Sequence, residues 1–244
     1  MNLVLDIGNS RTKAAIFSQG EMVGSFAFNN LSLNELEELM KGFPGTERAI
    51  LSSVAKVPAP VYDYLSNSFS TFLELNFRTV LPIVNGYRTP ETLGLDRLAA
   101  AVGARTFFPG EDLLVIDAGT ALTFDLIEQN GVFLGGNISP GMRTRFRSLN
   151  EFTRNLPLVE EADLWPLIGE TTEEAIRAGV LNGMVLEIDG MIDLLRKKYP
   201  RIQPVLTGGD AGFFERRLKN HIFVKFEITL IGLNRILEYN VEKL

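Results

Sequence analysis

Asn2-Leu3-Val4-Leu5-Asp6-Ile7-Gly8-Asn9-Ser10-Arg11-Thr12-Lys13, near the start of the chain, is answered by Asp112-Leu113-Leu114-Val115-Ile116-Asp117-Ala118-Gly119-Thr120-Ala121 near its middle. Each segment runs from an apolar stretch into an aspartate, one spacer, a glycine and then a hydroxyl residue. Each is followed within a few residues by a second apolar stretch, 14–17 in the first copy and 122–127 in the second. Short, wholly apolar runs predict central strands covered on both faces. The glycine lets the chain turn tightly, so the second stretch returns as an antiparallel neighbour. A strand–turn–strand unit that occurs twice marks an internal duplication.

Working outward, residues 21–28 read as a third strand after the Gln19-Gly20 turn. Ser32-Leu33-Asn34-Glu35 has the form of a capping box opening a helix over 33–40. Residues 49–52 predict a strand, 60–66 a helix, 73–75 and 81–84 short strands, and the alanine-rich 96–107 a helix. The pattern then restarts with strands over 113–117, 122–127 and 132–137. A long helix follows over 172–196, where Gly179, Gly183 and Gly190 predict either close packing or a break. A strand at 205–206 ends in Thr207-Gly208-Gly209-Asp210, with a helix over 213–219, a strand over 223–226 and an amphipathic helix over 231–239. Three strands followed by alternating helices and strands, twice over, predict an α/β chain of two related domains, 1–112 and 113–244, with a cleft between them.

The 244 residues and 45% hydrophobic content suit packed domains and exclude a disordered chain. Without cysteine there is no disulfide framework, no thiolate nucleophile and no sulfur-bound zinc, and a cytoplasmic location is expected. Asp6, Arg11 and Lys13 interrupt the first apolar stretch, so no signal peptide is expected, and nothing approaches the ~20 apolar residues of a membrane span. A net charge of −6 with no long basic run argues against nucleic-acid binding. The short run Arg143-Thr144-Arg145-Phe146-Arg147 reads as a solvated face.

The duplicated unit has a chemistry. Phosphoryl transfer is mostly positioning and charge neutralisation. An aspartate at a strand end, Asp6 or Asp117, is placed to hold a divalent metal through water, because magnesium gives up its waters reluctantly. The glycines let backbone amides approach phosphate oxygens, Ser10, Thr12 and Thr120 add hydroxyl donors, and Lys13 adds a mobile charge. One Asp-x-Gly turn is commonplace; two copies, each directly after a buried strand, point to phosphate. Thr207-Gly208-Gly209-Asp210 is either a plain strand-to-helix turn or a flat seat for a nucleotide. With His221 far from every motif, an acceptor-orienting base must be a carboxylate. Asp96, in Gly94-Leu95-Asp96-Arg97, is such a carboxylate or an ordinary N-cap, which its spacing favours. Arg97 beside it either clamps an anion or lies on a helix surface.

These stretches, with Gly86-Tyr87, Asp125 and Gly135-Gly136-Asn137-Ile138-Ser139-Pro140-Gly141, stand in an order that resembles the type III pantothenate kinases of the actin–Hsp70–sugar kinase superfamily. The resemblance spans nearly the whole chain, and Gly94–Arg97 ahead of the second hairpin is its most discriminating element. It implies two actin-like (ribonuclease H-like) domains and ATP-dependent phosphorylation of pantothenate, with Asp96 as catalytic base. Tyr87, Gly94, Leu95, Asp96, Arg97 and Thr172 would bind pantothenate, Arg97 pairing with its carboxylate. Asp6, Ile7, Gly8, Asn9, Ser10, Arg11, Thr12, Lys13 and Thr120 would bind ATP. Asp6 would hold Mg2+ through water and Asp117 a monovalent cation, K+ or NH4+. A homodimer is implied, with each pantothenate site borrowing from the neighbouring subunit. Ser10 stands where the family usually has threonine, and Glu170-Thr171 replaces a common lysine-asparagine pair. A kinase for another small hydroxyl substrate and a non-enzymatic transcriptional accessory factor of the same fold are the competing readings.

Overall fold

The structure is a computed structural model that describes residues 1–8 and 11–243. In chain order its elements are β1 (Asn2–Ile7), β2 (Thr12–Ser18), β3 (Glu21–Phe28), α1 (Leu33–Gly42), β4 (Arg48–Ser53), α2 (Ala59–Ser68), β5 (Thr71–Glu74) and β6 (Val84–Asn85). Then come α3 (Leu95–Phe107), β7 (Leu113–Ala118), β8 (Ala121–Ile127), β9 (Val132–Pro140), α4 (Met142–Glu151), α5 (Thr172–Lys198), β10 (Gln203–Thr207), α6 (Ala211–Glu215), β11 (Phe223–Val224) and α7 (Ile228–Val241).

Two compact units form. The first holds Met1–Pro109, Gly131–Phe133 and Glu227–Leu244; the second holds Gly110–Asn130 and Leu134–Phe226. The sequence reading divides the chain once, near 112, but the contacts return the C-terminal helix α7 to the first unit. The reason is glycine at two facing positions. A Cβ on Gly103 of α3 would stand 2.0 Å from the Ile228 carbonyl oxygen, and one on Gly232 of α7 would stand 1.8 Å from that of Ala99. Only bare backbones can approach that closely.

The duplication is visible in the sheets. The first runs β3-β2-β1-β4-β5, and the second contains the same order, β9-β8-β7-β10-β11. In each, the central strand pairs antiparallel with the strand after it and parallel with the first strand beyond the intervening helix or helices, β1 with β2 and β4, β7 with β8 and β10. Leu3, Leu5 and Ile16 anchor one apolar core, with Leu36, Leu51 and Leu65 from the surrounding elements. Leu114, Ile116 and Phe124 anchor the other, under Met184, Ile188 and Ile192 of α5.

Local signals behave as the residues dictate. Ser32 caps α1, and its partner Glu35 closes the capping box. The helix expected over 213–219 is shorter, Ala211–Glu215. Gly179, Gly183 and Gly190 neither break α5 nor pack closely, since a Cβ at each would meet open space; the remaining helix formers of this 27-residue element carry it through. Helix α4, over the basic run, is absent from the sequence reading. Among the described residues no helix is long and apolar enough to cross a membrane.

Candidate active site

In the first unit, Asp6 stands at the end of β1, in register with Lys13 across β2 and with Ser52 along β4. In-register neighbours present side chains to the same face of a sheet, so a carboxylate, an ammonium and a hydroxyl meet there. Gly8 N–H donates to the Arg11 carbonyl at 3.0 Å and closes the turn. Arg11 and Lys13 are exposed, whereas Thr12 is buried. Asn9 and Ser10, both expected at the phosphates, lie outside the described residues.

Burial raises the Asp6 carboxyl from 3.8 to about 6, and the neighbouring Asp96 carboxylate pushes the same way. Lys13 and the buried Ser52 hydroxyl, which lies beside the carboxylate, oppose them. A fold that makes one carboxylate costly to ionise, beside a second, has prepared a seat for positive charge. No group of three or more acidic or histidine ligands occurs among the described residues. One or two carboxylates completed by water and phosphate oxygens are what Mg2+ requires, so Asp6 fits that ion.

Asp96 is not an N-cap, contrary to the expectation from its spacing. Gly94 takes that position, Asp96 lies in the first turn of α3, and its carboxylate accepts the Arg97 N–H at 2.9 Å. Gly94 has a reason to be glycine: a Cβ there would lie 2.6 Å from the Asp96 carboxylate. Arg97 is not a surface residue either, being 8% exposed, with its guanidinium 5.9 Å from the centre of the Tyr87 ring. Tyr87 is placed by its N–H, which donates to Asn85 Oδ1, and by Gly86, whose N–H donates to the Phe133 carbonyl.

In the second unit, Asp117 ends β7, in register with Thr123 and Thr207. A Cβ on Gly208, where φ is +98°, would stand 2.4 Å from the Asp117 carboxylate and 2.3 Å from the Ala118 carbonyl oxygen. Glycine at 208 thus leaves the carboxylate a small oxygen-lined cradle, which suits a cation. Thr123 adds a buried hydroxyl with no hydrogen-bond partner among the described residues. Thr120 is exposed at the turn tip. Thr207 is buried and donates to the Phe226 carbonyl, Gly209 faces open space, and Asp210 N–H donates to the Ala118 carbonyl. Burial raises the half-buried Asp210 carboxyl, with Arg143 opposing and Glu161 reinforcing. Arg143 and Glu161 line a cavity of about 160 Å³ with Phe146 and Leu158. Thr172 is the first residue of α5, exposed, after the capping Thr171. His221 is exposed.

The structure thus gathers Asp6, Lys13, Asp96, Arg97 and Tyr87 in one unit, and Asp117, Thr120, Thr172 and Thr207–Asp210 in the other. Thr144, which bonds the second hairpin turn, and Ser139, Arg145 and Glu187, which bond one another, carry no sequence signal: an arginine inside a basic run does not announce that its side chain is partly buried.

The duplicated sheet with a strand-end aspartate in each copy defines an actin-like fold of the kind sugar kinases use. Solved structures agree: a candidate Baf family transcriptional activator from Campylobacter jejuni is similar at TM-score 0.62 and 24% identity, covering 98% of this chain and 99% of that one. A candidate 2-dehydro-3-deoxygalactonokinase from Sinorhizobium meliloti is similar at TM-score 0.62 and 13% identity, with the same coverage. At these identities the likeness is one of fold alone. The model of the type III pantothenate kinase family matches residues 2–194. A type III pantothenate kinase of Phocaeicola vulgatus is 48% identical over 240 residues, 98% of this chain and 99% of that one. One of Cytophaga hutchinsonii is 45% identical over 242 residues, 99% of this chain and all of the other. The chain belongs to the type III pantothenate kinase family.

Proposed function

We propose that this protein phosphorylates pantothenate with ATP, giving 4'-phosphopantothenate and ADP, the first step of coenzyme A biosynthesis. The observation that carries the reading is the Gly94–Arg97 turn. It sets one carboxylate in the first turn of α3 beside the Asp6 strand end, and sets a buried arginine over Tyr87.

Asp96 accepts the proton of the primary hydroxyl as its oxygen attacks the γ-phosphorus; the bond to the bridging oxygen breaks and ADP leaves. Arg97 and Tyr87, with Gly94 and Leu95, hold pantothenate, the guanidinium fork matching its carboxylate. Asp6–Lys13, including Asn9 and Ser10, and Thr120 hold the ATP phosphates. Asp6 would hold Mg2+ through water, which would supply neutralisation of phosphate charge, and Asp117 would hold K+ or NH4+. The Asp117 cradle and the Thr123 hydroxyl support an oxygen-coordinated cation there. We place Thr172 in the pantothenate pocket of a homodimer. Leu164, Leu167 and Ile168, just before it, are 91%, 78% and 77% exposed, an apolar surface that a second copy would cover. The family and the absence of a spanning helix among the described residues fit a cytoplasmic enzyme.

A coupled ADP-release assay with MgATP and pantothenate, run in potassium and again in sodium alone, tests this. Pantothenate-dependent turnover that needs potassium, lost at least about a hundredfold in Asp96→Asn, is the expected result. ATP binding without pantothenate-dependent ADP release overturns the function, and full turnover by Asp96→Asn overturns the base.

A further inference from the structure

The basic run at 143–147 is not one surface. Arg143 and Arg147 are exposed at the cavity already described, whereas the Arg145 side chain is only 21% exposed. Its Nε donates to the Pro140 carbonyl at 2.7 Å, and a terminal nitrogen donates to Ser139 Oγ at 3.1 Å and to the Glu187 carboxylate of α5. Ser139 in turn donates to the other Glu187 oxygen at 2.7 Å. The end of β9, the first turn of α4 and the middle of α5 are joined through one guanidinium.

The neighbouring residues carry that anchorage to the second hairpin. Thr144 Oγ1 donates to the Thr120 carbonyl at 2.7 Å, and Gly141 N–H donates to the same oxygen at 3.0 Å. Gly141 lies so close that a Cβ on it would stand 1.9 Å from the Gly119 carbonyl oxygen. Both lone pairs of the Thr120 carbonyl are therefore satisfied from the start of α4, and the start of α4 is tied to α5 by Arg145. A glycine turn with an exposed tip has little stiffness of its own. Its amide and hydroxyl donors hold one geometry only if something outside the turn fixes it.

We propose that Arg145 is a positioning residue for nucleotide phosphates: with Ser139 and Glu187 it fixes Gly141 and Thr144, which fix the Gly119–Thr120 turn. This rests on reading Thr120 as a phosphate contact. Donors to phosphoryl oxygens act by preorganisation, so a loosened turn weakens nucleotide binding even though every donor remains. The fork is essential, because it serves three acceptors at once where an ammonium could not hold the same geometry.

The test uses the full-length protein, with MgATP affinity measured by titration calorimetry and the two Michaelis constants by ADP release. Arg145→Met is expected to weaken MgATP about tenfold and to leave the pantothenate KM within about twofold. Thr144→Val moves the same way, Arg145→Lys recovers only part of the loss, and Thr144→Val adds little on top of Arg145→Met. Arg217→Met is the control. Its guanidinium, 19% exposed and bonded to the Phe213 and Asp163 carbonyls, is as well anchored but remote from the turn in the hydrogen-bond network. It is expected to lose stability and keep its MgATP affinity. Should Arg145→Met or Arg145→Lys bind MgATP no worse than Arg217→Met, while Thr120→Val binds it poorly, the brace is refuted and the phosphate reading stands. Unchanged MgATP affinity in Thr120→Val refutes both.

Discussion

Asp6→Asn is expected to make the protein more stable at neutral pH while disabling it. The Asp6 carboxyl titrates at about 6 in the fold against 3.8 for the ordinary group. A shift of about two units at ~1.4 kcal/mol each amounts to about 3 kcal/mol, and partial exposure of the residue brings the expected figure to about 2–3 kcal/mol. The sign follows from which form the fold prefers. Because the folded-state value is raised, the folded chain holds the proton more tightly than the unfolded chain. The carboxylate therefore costs nothing below pH ~4, costs progressively more as pH rises through 4–6, and costs a constant amount above. The pull of Lys13 is already contained in that net shift. Asparagine keeps the shape and removes the charge. Urea unfolding of wild type and Asp6→Asn without Mg2+ or nucleotide, from pH 3.5 to 8, should give curves that coincide at the acid end and separate across that window. A difference that is flat with pH, or a variant less stable than wild type at pH 7, refutes the argument that this carboxylate is held against its own preference for a bound cation.

Gly94→Ala puts a methyl 2.6 Å from the Asp96 carboxylate, which must rotate away; kcat is expected to fall about tenfold or more with little change in the MgATP KM, and an unchanged kcat in steady-state assays would show that Asp96 need not hold its position. Gly208→Ala forces alanine to φ +98° and into the Ala118 carbonyl and the Asp117 carboxylate. Thermal unfolding should report a loss of roughly 2–4 kcal/mol, and the stabilisation that potassium gives over sodium should disappear; a potassium-dependent melting temperature like that of wild type would place the cation elsewhere.

The fold was legible because its deciding signals are local. Apolar runs of strand length, an Asp-x-Gly turn and a short return strand each lie within a few residues, and repetition gave them weight. The ownership of α7 was not legible. It follows from Gly103 and Gly232 meeting across a separation of more than a hundred residues, and neither glycine differs in the sequence from those that do nothing in α5. Asp96 shows the limit at a single residue: spacing favours the cap, but Gly94 takes that place and the carboxylate lies in the first turn, accepting the Arg97 N–H. Arg145 is the opposite failure, a charge in a polar run whose burial depends on Ser139 and Glu187 arriving from two other elements.

The two hairpins share a frame and differ in charge. Asp6 and Asp117 end equivalent strands, and each is flanked in parallel register by a hydroxyl residue, Ser52 or Thr207. The residue following each aspartate accepts a backbone N–H from the loop after that neighbouring strand, Val54 to Ile7 and Asp210 to Ala118. The antiparallel partner is where they part: Lys13 faces Asp6, whereas Thr123 faces Asp117. An ammonium lowers the carboxyl it faces and binds phosphate oxygens directly, so a cation proposed at Asp6 is one held at a distance through water. A buried hydroxyl with no hydrogen-bond partner among the described residues does none of this and offers instead an oxygen to a cation from solution. Under the proposed function, this one position in the register distinguishes a strand end suited to phosphate from one suited to a monovalent ion. On that proposal the two halves divide the work: Lys13 supplies positive charge from the chain itself, and the Asp117 strand end draws it from the solvent.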